Sequence, residues 1–152
     1  MSQTSFEIQQ AAVIGAGTMG RGIVMCLANA GVSVQWVDNN PQMLEQALTT
    51  VAETYAHSVR QGRIDQAEAD ARIARVSAAA DYAAIRNVDL VIEAVYENLE
   101  LKQKIFRELD GLLKPEALLA SNTSALDIDA IAAATRRPAQ VLVCTSSARR
   151  TS

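Results

Sequence analysis

The twenty residues that begin at Ala11, AAVIGAGTMGRGIVMCLANA, constrain the fold more than any other stretch. A short apolar segment leads directly into Gly15, Gly17 and Gly20 at GxGxxG spacing, and a helical pattern follows. In a dinucleotide-binding βαβ unit these glycines permit the tight turn, the close approach of a pyrophosphate and helix–sheet packing, in that order. The helix N-terminus then offers free N–H groups to the phosphates. The alternative is an ordinary βαβ turn with incidental glycines.

The segment after this helix supplies the acidic residue that such a unit needs. Gly31 suits the end of the helix, and a second strand is predicted at residues 33–37, followed by Asp38. A carboxylate at the carboxyl end of the second strand can accept hydrogen bonds from the adenosine ribose. Two asparagines and a proline come next, with no arginine to hold a 2′-phosphate, so the sequence favours NAD over NADP.

Composition excludes several other classes of protein. A chain of 152 residues fits one domain with a real core, and its net charge of −3 argues against nucleic acid or an anionic membrane as partner. We find no signal peptide and no apolar run of membrane-spanning length. Cys26 and Cys144 are isolated, so we expect no metal site and a reducing, cytoplasmic location. His57, the one histidine, has the surroundings of a surface residue.

Strand-like and helical segments alternate along the whole chain, which predicts an α/β fold. The expected architecture is a Rossmann-type, doubly wound parallel sheet with right-handed crossovers. A long helix from Pro41 and a returning helix at 64–73 are predicted to form a helical hairpin inserted after the second strand. The hairpin either carries a function or is simply a solvent-exposed pair of helices. The remaining predictions are strands at 75–77, 89–95, 117–120 and 140–143, a small helix capped by Asp81, and helices at 99–113 and 126–134.

Polar residues occur where two of these strands end. Glu93 interrupts a buried strand, where a carboxylate is costly unless it is paired. Glu97 follows, with Lys102 as its candidate partner, although an acidic residue at a helix start is also favoured by the helix dipole. The next strand ends in the SNTS run, 121–124, at the edge where open α/β sheets bind ligands. For Ser124 alone, a capping box with Asp127 is the alternative.

These segments together resemble the N-terminal domain of the NAD-dependent 3-hydroxyacyl-CoA dehydrogenases. The resemblance covers nearly all of residues 12–142, and includes VIGAGTMGRGI from Val13, DLVIEAVYENLELK from Asp89 and ASNTSALDI from Ala120. The last two blocks are more specific than the dinucleotide fingerprint. In this family the 3-hydroxyl of an acyl-CoA thioester is oxidised to a ketone while NAD accepts hydride, a step of fatty acid beta-oxidation.

The resemblance also implies roles for individual residues. Asn122 would lie beside the nicotinamide ribose and the substrate, and Ser124 would hydrogen-bond the substrate oxygen. These two would be the family's catalytic residues that this chain contains. The family grips CoA with the hairpin, where Thr54 and Gln61 stand at contact positions but no clear lysine is found. The implied cofactor contacts are Gly15, Ala16, Gly17, Thr18, Met19, Gly20, Asp38, Ala94, Val95, Glu97, Lys102 and Asn122.

The end of the chain departs from the family pattern. After Leu142 the family continues into its catalytic histidine, whose partner is a glutamate, whereas this chain reads VCTSSARRTS. Deleting one base from a plausible gene segment for the family motif yields these ten residues and a stop codon; a natural short variant with a polar terminus is the alternative. We therefore expect a NAD-binding domain at 1–142, a non-family tail at 143–152, and no helical substrate and dimerisation domain.

Two consequences are expected from that departure. The chain alone would be inactive, because it lacks the base that removes the hydroxyl proton, and its uncovered face would favour self-association. A non-catalytic NAD-binding module is an alternative function. A dehydrogenase of short hydroxy acids is a weaker one, because the SNTS run and the long hairpin argue against it.

Overall fold

The structure, a computed structural model, describes residues 8–79, 81–95, 98–122 and 125–143. Six strands alternate with helices along the chain. The strands are β1 (Gln10–Ile14), β2 (Ser33–Val37), β3 (Val76–Ala79), β4 (Leu90–Glu93), β5 (Leu118–Ser121) and β6 (Val141–Val143). The α-helices are α1 (Thr18–Asn29), α2 (Pro41–Arg60), α3 (Gln66–Ala74), α4 (Leu99–Leu112) and α5 (Ala125–Ala132). Short 3-10 helices cover Tyr82–Ile85 and Pro138–Gln140.

All six strands form one parallel sheet in the order β3-β2-β1-β4-β5-β6. The strand order reverses at β1, whose Ala11 pairs with Val34 of β2 on one side and Leu90 of β4 on the other. Apolar clusters cover both faces of the sheet, one containing Phe106 and the other Trp36. This confirms the predicted Rossmann-type doubly wound sheet, and α2 with α3 is the predicted hairpin after β2.

Local sequence explains where most elements begin and end. Gly31 has a φ of +90° just after α1, as predicted for the residue that ends a helix. Asn40 caps α2, because its side-chain oxygen accepts hydrogen bonds from the backbone N–H groups of Gln42 and Met43 at 3.1 and 3.2 Å. Asp81 caps the first 3-10 helix in the same way, as predicted.

Several boundaries differ from the predicted ones. β4 covers Leu90–Glu93 instead of 89–95, β5 covers Leu118–Ser121 instead of 117–120, and α5 covers Ala125–Ala132 instead of 126–134. The returning helix begins at Gln66 instead of residue 64, because the Asp65 carboxylate accepts the backbone N–H of Glu68 at 2.7 Å and so caps the helix. β3 covers 76–79 instead of 75–77, in register with the last four residues of β2. β6 starts at Val141 because the preceding three residues form a 3-10 helix.

Within the described ranges, no helix is both long enough and apolar enough to cross a membrane.

Candidate functional site

A cavity of about 990 Å³ opens at the edge of the sheet where β1, β2 and β4 end, which we call the carboxyl edge. In open α/β sheets, ligands bind at this edge, where the strand order reverses. The residues that line the cavity come from the glycine turn, the ends of β1, β2 and β4, the first 3-10 helix and α4. They are Ile14, Gly15, Ala16, Gly17, Val37, Asp38, Asn39, Asn40, Met43, Asp81, Tyr82, Ala83, Ala94, Val95, Leu101, Lys104, Ile105 and Glu108.

The three glycines of the turn meet three different surroundings. Gly15 has a φ of +115°, and a Cβ there would lie 2.8 Å from the carbonyl oxygen of Ala94. A Cβ on Gly20 would lie only 2.0 Å from the carbonyl oxygen of Gly15, so α1 packs directly on the turn. A Cβ on Gly17 would meet nothing within 4 Å. Gly15 and Gly20 are therefore required by the fold, whereas Gly17 leaves backbone open at the cavity wall, as a bound pyrophosphate requires.

Trp36 of β2 supports the glycine turn from the core side. The indole Nε1 donates a hydrogen bond of 2.8 Å to the carbonyl oxygen of Gly15, and the indole is fully buried. The backbone N–H of Gly15 in turn donates to the carbonyl oxygen of Val37 at 2.8 Å. Sequence reasoning missed this contact; strand alternation could have placed Trp36 in the core but not its indole beside the turn.

Asp38 faces the cavity from the end of β2 and is half-buried. One carboxylate oxygen accepts the backbone N–H of Ala16 and the other accepts that of Asn40, both at 2.8 Å. These bonds orient the carboxylate toward the turn, and each oxygen keeps a second acceptor site for a hydroxyl group. The carboxylate thus fits the adenosine ribose contact predicted for it, and its charge disfavours a 2′-phosphate.

Tyr82, on the first 3-10 helix, forms part of the cavity wall. Burial, reinforced by the nearby negative charges of Glu108, Glu93 and Asp38, raises the pKa of its phenol to about 12. The phenol therefore stays protonated at physiological pH and remains a hydrogen-bond donor at this wall. Sequence reasoning did not single out Tyr82 for the site.

Behind the cavity wall, three fully buried polar side chains form what we call the Glu93 cluster: Glu93, Lys102 and Ser121. One oxygen of the Glu93 carboxylate accepts hydrogen bonds from the Lys102 ammonium and from the backbone N–H of Val95, both at 2.7 Å. The other oxygen accepts from the hydroxyl of Ser121, the register partner of Glu93 on β5. The cluster thus supplies the pairing that a carboxylate in a buried strand requires.

The structure brings many of the predicted site residues together at the cavity. Met19 is exposed in the first turn of α1, next to the glycine turn. Asn122 is half-buried at the end of β5, where its backbone N–H donates to the carbonyl oxygen of Glu93 at 2.9 Å. Glu97 and Ser124 lie outside the described residues. Those that line the cavity are Gly15, Ala16, Gly17, Asp38, Ala94 and Val95. Thr18, Met19, Gly20, Lys102 and Asn122 are not among the lining residues.

Three features define a dinucleotide-binding Rossmann domain: a parallel sheet whose strand order reverses at β1, a glycine turn at its carboxyl edge, and an acidic residue after β2. The family model described as "3-hydroxyacyl-CoA dehydrogenase, NAD binding domain" matches residues 10–145. The chain belongs to this family, and its cofactor is NAD.

Three similar proteins illustrate the relationship. A peroxisomal bifunctional enzyme of Danio rerio is 46% identical over an alignment of 139 positions, which covers 87% of this chain and 18% of that enzyme. A probable 3-hydroxybutyryl-CoA dehydrogenase of Bacillus subtilis is 39% identical, over 90% of this chain and 47% of the relative. The crystal structure of 3-hydroxybutyryl-CoA dehydrogenase from Escherichia coli superposes with a TM-score of 0.88 at 34% identity, covering 91% of this chain and 29% of that one. This chain therefore spans less than half the length of each.

Proposed function

We propose that these residues form the NAD-binding half of an enzyme that oxidises (S)-3-hydroxyacyl-CoA to 3-oxoacyl-CoA. The observation that carries the proposal is the cavity at the carboxyl edge, with open backbone at Gly17 and an oriented carboxylate at Asp38. The substrate class is taken from the names of the relatives, one of which is a 3-hydroxybutyryl-CoA dehydrogenase. When bound, NAD would supply the hydride acceptor, and the residues of this chain would hold and orient it.

In this proposal, each part of the cavity holds a different part of the cofactor. The backbone at Gly15–Gly17 and the first turn of α1, Thr18 to Gly20, would hold the pyrophosphate. Asp38 would hold the adenosine ribose, while Asn122 would lie near the nicotinamide ribose and Ser124 near the substrate oxygen. Ala94, Val95 and Glu97 would complete the cofactor site from the segment after β4, and the buried Lys102 of α4 would support that segment from behind.

We further propose that the 152 residues bind NAD without oxidising acyl-CoA. Removal of the hydroxyl proton in step with hydride loss needs a general base, and positioned bases contribute about 10²–10⁴ in rate. The single histidine of the chain, His57, is exposed on α2 and is not among the residues that line the cavity. Acyl-CoA turnover would therefore require a general base from protein other than these residues.

Titration of NAD and NADH into the purified chain, followed by calorimetry, tests the first proposal. We expect saturable binding that Asp38→Ala weakens by about tenfold or more, the size of one lost charged hydrogen bond. Asp65→Ala is the matched control, because it also removes a carboxylate that accepts a backbone N–H, but at the start of α3 and away from the cavity. Failure of a cooperatively folded chain to bind either nucleotide would overturn the proposal.

Two further assays address activity and association. We expect no NADH production from 3-hydroxybutyryl-CoA and NAD, and turnover by the chain alone would contradict the proposed inactivity. We also propose that the chain self-associates, through a face that a substrate-binding domain would otherwise cover. Finally, we propose that it is located in the cytoplasm. Light scattering checks the first, with a monomer at all concentrations as the contrary result. Cell fractionation checks the proposed location. Recovery of the protein with peroxisomes, the organelle in the names of some relatives, would contradict it.

A further inference from the structure

The Glu93 cluster lies at one side of the cavity, opposite Asp38. β4 and β5 stand on one side of β1, and β2 and β3 stand on the other. A dinucleotide that crosses the reversal point with its adenosine ribose at the end of β2 must extend its other half toward the ends of β4 and β5. Glu93 and Ser121 are the last residues of those two strands.

The cluster fixes the backbone that forms this side of the cavity. The peptide groups of Val95 are held at both ends, since its N–H donates to the Glu93 carboxylate and its carbonyl oxygen accepts from Lys102 at 3.4 Å. The Lys102 ammonium also donates to the carbonyl oxygen of Asn122 at 3.2 Å. One ammonium thus connects the segment after β4, the segment after β5 and helix α4.

The same segment is in contact with the glycine turn. The backbone N–H of Ala94 donates to the carbonyl oxygen of Ile14 at 2.8 Å, and its own carbonyl oxygen lies against Gly15. A shift of residues 94 and 95 would therefore change the wall that faces the turn. Glu93 and Lys102 are themselves fully buried and do not line the cavity, so they would act on a ligand only through this backbone.

We propose that Glu93 is a positioning residue for the nicotinamide half of NAD. Its carboxylate holds the Lys102 ammonium and Val95, and through them the ends of β4 and β5, in the arrangement that receives the nicotinamide riboside. This inference rests on the proposed function. It predicts that loss of the carboxylate weakens contacts to the nicotinamide half while contacts to the adenosine diphosphate half persist.

The experiment compares NADH with ADP, which keeps the adenosine and pyrophosphate half and lacks the whole nicotinamide riboside. Both are titrated into the 152-residue chain by calorimetry, at a temperature where circular dichroism shows each variant to be folded. For Glu93→Gln we expect NADH affinity to fall about tenfold or more and ADP affinity to stay unchanged. For Ser121→Ala, which removes one hydroxyl, we expect a smaller fall in the same direction.

Asp110→Asn is the matched control, since Asp110 is also a buried carboxylate in an ion pair. It lies on α4 and is not among the residues that line the cavity. It should leave the ratio of the two affinities unchanged. A merely structural role for Glu93 would reduce both affinities together, in Glu93→Gln as in the control, and would overturn the inference. If Glu93→Gln does not fold, an unchanged ratio in Ser121→Ala overturns it instead.

The wild-type chain separates this inference from the proposed function. Binding of neither ligand overturns the proposed function, and the inference with it. Binding of both ligands with equal affinity overturns the inference alone, because the nicotinamide half would then make no contact worth positioning.

Discussion

At the carboxyl edge of the sheet, Glu93 accepts hydrogen bonds from Lys102 and from the backbone of Val95. At the opposite, amino edge, Asp110 accepts hydrogen bonds in the same manner, from Arg137 Nε at 2.7 Å and from the backbone N–H of Arg136 at 2.8 Å. Both carboxylates are buried and both connect α4 to neighbouring segments. Only Glu93 is hydrogen-bonded to a residue of the cavity wall, Val95.

The amino edge uses its charges to join loops. Arg137 also donates to the carbonyl oxygens of Lys114 at 2.7 Å and Asp110 at 3.0 Å, which holds the turn between α4 and β5. Asp89 accepts from Lys114 and from the backbone N–H groups that lead into β1. A buried ion pair therefore does not by itself mark a functional site. Its position relative to the ends of the parallel strands is what distinguishes the two.

The largest expected effect is on folding at the amino edge. Arg137→Met would leave the buried Asp110 with only the exposed guanidinium of Arg136, at 3.4 Å, and removing one member of a buried pair costs about 3–5 kcal/mol. We expect a loss of that size in the free energy of unfolding, measured in urea, with NADH affinity unchanged for the folded fraction. Weakened NADH binding well below the melting temperature would break the distinction between the two edges.

A smaller effect on stability, combined with an effect on binding, is expected at the carboxyl edge. Trp36→Phe removes the hydrogen bond to Gly15 and leaves a buried carbonyl unsatisfied, which costs about 1–3 kcal/mol. We expect thermal denaturation to show that loss and calorimetry to show weaker NADH binding, because the glycine turn loses its support.

The control for Trp36→Phe is Tyr55→Phe. Tyr55 belongs to the same apolar cluster, and its hydroxyl donates to Asn29 at 2.7 Å between α2 and α1. This variant should lose stability but keep its affinity for NADH. Equal losses of affinity in both variants would mean that binding follows general stability and not the support of the turn.

The smallest expected effect is on the pH dependence of stability. Burial alone would raise the pKa of Asp110, but hydrogen bonds from the Arg136 backbone and the Arg137 guanidinium together lower it below the ordinary value of 3.8. Since the folded pKa lies below the unfolded one, the unfolded chain binds the proton first as the pH falls. The stabilising contribution is therefore complete above the unfolded pKa and is lost as the pH falls through the folded value.

Urea denaturation of the wild type and Asp110→Asn between pH 3 and 6 measures this contribution. The unfolding free energy of the variant should depend less steeply on pH in the acidic part of the range. The difference in slope is limited to one proton, which corresponds to about 1.4 kcal/mol per pH unit. Parallel curves for the two proteins would show that Asp110 makes no such contribution.

The sequence predicted those features that depend on neighbouring residues. The glycine turn, the second strand with Asp38 and the cap at Asn40 all follow from short-range patterns, and the structure has them where they were predicted. Glu93 was correctly expected to need a partner. Naming that partner required the β4–β5 register, which places Ser121 opposite Glu93, and the direction of α4, which returns Lys102 to it.

Other contacts could not be predicted because they join distant parts of the chain. The pair of Arg137 with Asp110 spans 27 positions, and neither residue belongs to a motif. Tyr82 reaches the cavity only because the chain returns to the carboxyl edge after the hairpin of α2 and α3. Such placements depend on the whole topology, which no local pattern in a single sequence contains.

The hairpin between β2 and β3 has a consequence for how such a domain can change its length. The contact between Gln10 and Asp89 spans 79 positions, in part because α2 and α3 lie between them. The entropy of closing a flexible loop grows only with the logarithm of its length, so that each doubling costs about 0.6 kcal/mol. A shorter crossover would close at almost the same cost. The domain can therefore acquire, lose or resize this excursion while the order of its strands stays the same.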